Sequence, residues 1–163
     1  LPASRRSRSL MPVKKLKDFL DKHHIKYVAI SHSLAYTAQE IAESAHIPAK
    51  ELAKTVIVKL DGKMGMVVLP ANVKVDLEAL KSITGVSDVS LASETEFKDQ
   101  FPGCEIGAMP PFGNLYDMDV FVEKSLEEDE KIAFNAGNHS ELIQLACKDF
   151  KALVKPNVIS LPH

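Results

Sequence analysis

The chain has 163 residues, the length of one domain, and is large enough to bury a core without disulfides or metals. Its 45% hydrophobic and 26% charged residues are ordinary for a soluble globular protein, and the absence of any run of about 20 apolar residues excludes a membrane-spanning helix. The net charge of −2 hides a split: residues 1–17 carry six Lys and Arg and no acid, whereas residues 18–163 carry 14 Lys, no Arg and 22 Asp and Glu, a net of −8, which argues against a broad nucleic-acid groove but leaves room for a small, focused contact.

Residues 1–10 lack the apolar run of a secretory signal and are expected to be a disordered extension or an expression remnant, with Met11 a plausible native start. The folded domain is expected over 11–163. Val13, Leu16, Phe19 and Leu20 have helical spacing, and that helix should end near His23-His24. Ile25–Ile30 alternates and predicts a strand. Thr37 followed by Glu40 forms a capping box for a helix to about His46, and Pro48 opens a short helical turn over Ala49–Ala53. TVIVKL, Asp61-Gly62 and MGMVVLP then make the clearest hairpin signal in the chain.

Asp76 is the expected N-cap of a helix through Ile83, and Ser93 with Glu96 forms a second capping box for a helix to about Phe101. GAMPPFGNLY, residues 107–116, holds two Gly and two Pro and must be a shaped loop. Strands are expected at Asp119–Glu123, Ile132–Asn135 and Leu142–Ala146, and a last helix at about Lys148–Val154. About six strands and five helices in mixed order predict an α+β fold, a single compact domain with a mixed, barrel-like sheet. They disfavour a doubly wound nucleotide fold.

Lys54 is the first residue with chemical interest. Strand alternation puts it on one face with Val56 and Val58, where lost hydration depresses its pKa or demands an anionic partner. The simpler reading, favoured by pattern alone, is a lysine that snorkels to water. Backbone N–H groups of the 107–116 loop could hold an anion or a developing oxyanion, against the alternative of a rigid turn. Asn135-Ala136-Gly137-Asn138-His139 could line a cleft or be a simple hairpin turn. His32, in a Ser-His-Ser loop, could face a site. No histidine pair has metal-ligand spacing, and no Gly-x-Ser-x-Gly elbow occurs. Cys104 and Cys147 read as neither nucleophiles nor a disulfide scaffold and fit a reducing compartment. Glu127-Glu128-Asp129-Glu130 reads as a solvated turn. No metal and no cofactor are expected.

LAKTVIVKLDG (Leu52–Gly62), VVLPANVKVDL (Val67–Leu77), GAMPPFGNLY and FNAGNHSELI (Phe134–Ile143) occur in order, and together they resemble the YbaK/prolyl-tRNA-synthetase-associated editing domain family. The resemblance spans about Val13 to Pro156. It implies a cytoplasmic, trans-acting deacylase that hydrolyses the ester of a mischarged tRNA, with the tRNA acceptor end and an aminoacyl-tRNA synthetase as partners. It assigns the functional lysine to Lys54. Contacts to substrate are carried over to Thr55, to the loop residues Gly107, Pro110 and Gly113, to Asn135 and Gly137, and to His32 and Tyr36 of the early His/Tyr region. Pro110-Pro111 stands where well-studied members more often have Ser-Pro or Thr-Pro. Met109, Phe112 and Leu115 are candidate pocket walls, or else core anchors. The alternatives are a non-catalytic module that binds an aminoacyl-nucleotide or synthetase-related ligand, and a hydrolase of small aminoacyl esters.

Overall fold

The computed structural model describes residues 14–31, 38–101, 104–105 and 108–162. The N-terminal extension and the Thr37 cap therefore lie outside the described residues. The elements are a helix over residues 14–22 (α1), then β1 (Tyr27–Ser31), α2 (Ala38–Ala45), a 3-10 turn (Ala49–Glu51), β2 (Leu52–Leu60), β3 (Lys63–Pro70), α3 (Leu77–Thr84), β4 (Val89–Leu91), α4 (Glu94–Phe97), β5 (Asp119–Glu123), α5 (Lys124–Glu127), β6 (Lys131–Asn135), β7 (Glu141–Ala146), α6 (Cys147–Val154) and β8 (Asn157–Ile159).

Local chemistry explains most of the boundaries. Asp61 and Gly62 both have positive φ, 49° and 84°, the geometry of the two-residue turn that matches strand twist, so β2 and β3 pair along their whole length from Leu60↔Lys63 to Ala53↔Pro70. The Asp76 side chain accepts from the Ala79 N–H at 3.0 Å and starts α3, which stops at Gly85 in the left-handed region. Both hydrogen bonds of the Ser93–Glu96 capping box are present. The helix they open is shorter than its pattern suggested, with a 3-10 turn following over Lys98–Gln100. The 127–130 acidic run is not wholly a turn, because its first residue closes α5.

The sheet is mixed and has eight strands among the described residues, in the order β1-β7-β6-β2-β3-β5-β8, with β4 also pairing β2. Strands β2 and β6, β3 and β5, and β5 and β8 run parallel, and the remaining pairs are antiparallel. The two strands beyond the six expected, β4 and β8, have three residues each.

One face of this sheet supplies Ala53, Ile57, Met66, Val68, Val120, Val122, Ile132, Phe134, Ile143 and Leu145 to the main core, which α1, α6 and the aromatic residues Phe112 and Tyr116 close from the inside. The opposite face carries two smaller clusters. Ile41 and Ala42 of α2 cover Leu52, Ala133 and Leu142, and Leu80 of α3 covers Val58, Val67 and Leu69. Among the described residues no helix is long and apolar enough to cross a membrane.

Candidate functional site

Lys54 is the third residue of β2 and lies opposite Leu69 of β3. It projects from the outer face of the sheet, between the clusters under α2 and α3, and is half-buried. Its Nζ reaches the Ala71 carbonyl at 3.5 Å, the outer limit of a hydrogen bond, and forms no ion pair among the described residues. Burial lowers its pKa below the ordinary lysine value, and the positive charge of Lys74 lowers it further. The side chain is thus a partly desolvated cation near a carbonyl, with no carboxylate paired to it among the described residues.

The strand beneath it changes partners at this point. On one edge β2 pairs with β3 throughout, but on the other edge it pairs with β6 only at Leu52 and Ala53 and with β4 only from Val58 to Leu60. The Ile57 carbonyl on that second edge accepts from Ala92 N–H, whereas the Leu52 carbonyl faces β3 and accepts from Ala71 N–H. Backbone groups alternate in direction along a strand, so Thr55 directs its N–H and C=O to the second edge, where no described strand meets it. Among the described strands this leaves a break in the pairing of β2 between Ala53 and Val58, flanked by the end of β6. The Thr55 side chain itself points to the inner face, opposite to Lys54.

Asn135 ends β6 one position beyond the Ala53↔Phe134 pair, so it neighbours Lys54 on the same face. Its Oδ1 is buried and has no hydrogen-bond partner among the described residues. A buried acceptor without a donor costs about 1–3 kcal/mol, which suits a position that receives a donor from a bound molecule. After Asn135 the chain turns through Gly137, at φ 111°, a backbone conformation that L side chains rarely adopt.

This turn is tied to the approach to the Gly/Pro loop. Glu105 N–H donates to the Gly137 carbonyl at 2.9 Å, and Glu105 Oε2 lies 3.9 Å from Nε2 of the buried His139. The segment just before the Gly/Pro loop therefore meets the 135–139 turn at the end of β6. Glu105, Lys74 and the Ala71 carbonyl escaped the sequence reading because their importance is positional.

The remaining expected residues are placed differently. Pro110 and Gly113 are buried, Gly113 against Met118 and Val120, with Met109 and Phe112 in the main core and Leu115 packed against it. Of the N–H groups in this loop, that of Ala108 is committed to the Glu105 carbonyl, and Pro110 and Pro111 have none. Gly107, His32 and Tyr36 lie outside the described residues. Burial pushes both thiols above the ordinary cysteine range, and Cys147 Sγ bonds to the Leu126 carbonyl at 3.3 Å, so neither is an activated nucleophile. Among the described residues no group of three or more His, Cys, Asp or Glu side chains forms a metal site.

The family model described as the aminoacyl-tRNA editing domain matches residues 32–153. The chain is 26% identical over 146 residues to the multifunctional Ser/Thr-tRNA deacylase ProXp-y of Escherichia coli K12, covering 86% of this chain and 87% of that protein. It is 27% identical over 88 residues to the proline–tRNA ligase of Bacillus mycoides, spanning 54% of this chain but 15% of the ligase. Its fold is shared with a crystal structure described as a candidate trans-editing enzyme for prolyl tRNA synthetase, at TM-score 0.79 and 19% identity over 93% of this chain and 97% of that one. A second crystal structure, of hypothetical protein APE2540, superposes at TM-score 0.80 and 20% identity over 90% of this chain and 97% of that one.

Proposed function

Since the chain belongs to the aminoacyl-tRNA editing domain family, we propose that it is a trans-acting deacylase that hydrolyses the ester of a mischarged tRNA, with Lys54 as its principal charged group. The observation that carries this reading is the half-buried Lys54, without an ion pair among the described residues, beside the break in strand pairing at Thr55. An aminoacyl ester is already activated, so its hydrolysis needs positioning and charge stabilisation more than a strong nucleophile.

In this mechanism water adds to the ester carbonyl and the carbonyl oxygen becomes an oxyanion. The Lys54 ammonium stabilises that charge or holds the terminal phosphate. The intermediate collapses with the ribose oxygen as leaving group, and the neighbouring free ribose hydroxyl relays the proton. Thr55 N–H supplies a backbone donor at this break, and Asn135 Oδ1 accepts a hydrogen bond from the substrate. Gly137 keeps the turn close to the ligand. Pro110 and Gly113 support the wall, and His32, Tyr36 and Gly107 complete the contacts. A pocket too small for the correct amino acid would set specificity by admitting only smaller errors.

The test is a panel of mischarged tRNAs, serine and threonine esters among them, with aminoacyl-adenosine as the short substrate. Turnover of one mischarged tRNA above its correctly charged form is the expected result. Binding without turnover would identify a non-catalytic module, and turnover of the short ester alone a small-ester hydrolase.

The pH profile offers a second check. The charged form of Lys54 is the active one, so activity falls as pH rises through its depressed pKa. Lys74→Gln removes one of the two causes of that depression and should move the alkaline limb of kcat/KM for aminoacyl-adenosine to higher pH. A superimposable limb in the variant would rule out Lys54 as the titrating group.

A further inference from the structure

The outer face of the sheet does not end at Lys54. Along β6, Lys131, Ala133 and Asn135 share this face, since Ile132 and Phe134 point into the main core. Lys131 lies opposite Ala146, and Gln144 lies opposite Val28 of β1. The α2 side of the face is covered, whereas the opposite end is bare: Val28 is 56% exposed. A cleft of about 500 Å³ opens there, and its rim carries His24, Lys26, Lys131 and Lys148 against one acid, Asp149. None of the three lysines forms an ion pair among the described residues, while Lys14, Lys17, Lys59, Lys63 and Lys151 each do. An excess of positive charge in a body of net −8 marks a local anion-seeking surface.

We propose that this cleft, between β1 and the β7–α6 junction, is the docking surface for the sugar–phosphate backbone of the tRNA acceptor end. The proposal rests on the deacylase reading and adds where the rest of the tRNA lies. Lys131 and Asn135 stand at opposite ends of β6, about 13 Å apart at the usual rise per residue. Ala133, between them on this face, is buried under α2, so the RNA backbone passes around α2 rather than along β6, a path longer than the roughly four nucleotides that about 3.4 Å per stacked nucleotide would give for the straight line. The acidic turn after α5 borders the cleft at Ala146 and Lys148 and confines the phosphate path to the β1 side. Three contacts suit an acidic domain better than an extensive groove would, and the exposed Val28 offers an apolar surface to a ribose.

The experiment uses the full chain with Lys26→Gln, Lys131→Gln and Lys148→Gln combined, and a control carrying Lys63→Gln, Lys81→Gln and Lys98→Gln. Binding of uncharged tRNA and of an acceptor-stem hairpin is measured across salt concentration, and hydrolysis of aminoacyl-adenosine is measured in parallel. The cleft variant should lose about ten-fold in RNA affinity at low salt, and its slope of log K against log salt should shrink by about two to three. Its hydrolysis of the short ester should stay within two-fold of wild type, and the control should bind RNA as wild type does. Unchanged RNA affinity and slope in the cleft variant overturns the proposal, as does an equal loss in the control or a parallel loss of short-ester hydrolysis. Loss of a synthetase contact with RNA affinity intact also overturns it, in favour of a protein partner. Lysine-dependent RNA binding in a wild-type protein that hydrolyses no ester would support the surface while refuting the deacylase reading. Turnover of mischarged tRNA with lysine-independent binding would do the reverse.

Discussion

Replacing Lys54 by alanine should slow hydrolysis of the best mischarged tRNA by about 10²–10³, the usual cost of removing one preorganised charge contact from a developing oxyanion. The loss should appear in kcat as well as kcat/KM, because the interaction strengthens when charge develops on the ester oxygen. The fold should survive. Lys54 is half-buried and its one hydrogen bond among the described residues, to the Ala71 carbonyl, is marginal, so little polar interaction is lost. Its charge works against stability. Burial and Lys74 hold its folded-state pKa below the ordinary value, so between that depressed pKa and the unfolded value the unfolded chain binds more protons, and stability rises with pH across this window. Below the window the charged lysine imposes its full cost. Lys54→Met should therefore match or exceed wild type in denaturant midpoint at pH 7 while remaining inactive. Wild-type turnover in Lys54→Ala would remove Lys54 from the mechanism. Loss of turnover together with a collapsed midpoint would assign it a structural role instead.

Gly113→Ala should be the most destabilising change in the Gly/Pro loop, by about 3 kcal/mol or more. A Cβ built on Gly113 meets the Met118 carbonyl oxygen and Val120 Cγ2, each at 2.5 Å. The first is backbone entering β5, and the second belongs to a β-branched side chain locked in the main core, so neither can move aside cheaply. The Gly113 carbonyl also accepts from the N–H groups of Tyr116 and Met118, both at 2.9 Å, which pins the turn in place. The measurement is the denaturant midpoint at unchanged m-value, with deacylation assayed under conditions where the variant is folded. A midpoint within 0.5 kcal/mol of wild type would show that the loop relaxes freely. The glycine serves close packing here, which is a different need from the positive φ at Gly137.

Several features were legible in the sequence because their causes are local. Asp61-Gly62 specifies its turn, Asp76 and Ser93 specify helix starts, and alternation puts Lys54 on the Val56–Val58 face. The mixed order of strands and helices was enough to expect an α+β sheet. β4 and β8 escaped notice because three-residue strands have too short a pattern to read and exist only by pairing with β2 and β5. The Gly/Pro loop shows the same limit from the other side. Its composition marks a constrained backbone, but the constraint at Gly113 comes from Met118 and Val120, which composition does not reveal.

For the site, the sequence by itself determined the family resemblance, the Lys54-Thr55 pair and the acidic balance of the body. Only the tertiary structure decided that β2 changes partners beside them and that Asn135 arrives as a neighbour. Each depends on the parallel register of β2 with β6, a pairing between distant segments that no local propensity encodes. The charge followed the same rule. A net of −8 is a sum over the chain, but phosphate responds to the field of the few groups within reach. Folding brings Lys26, Lys131 and Lys148 from three separate segments to one cleft, so the sign of that field is a property of the fold.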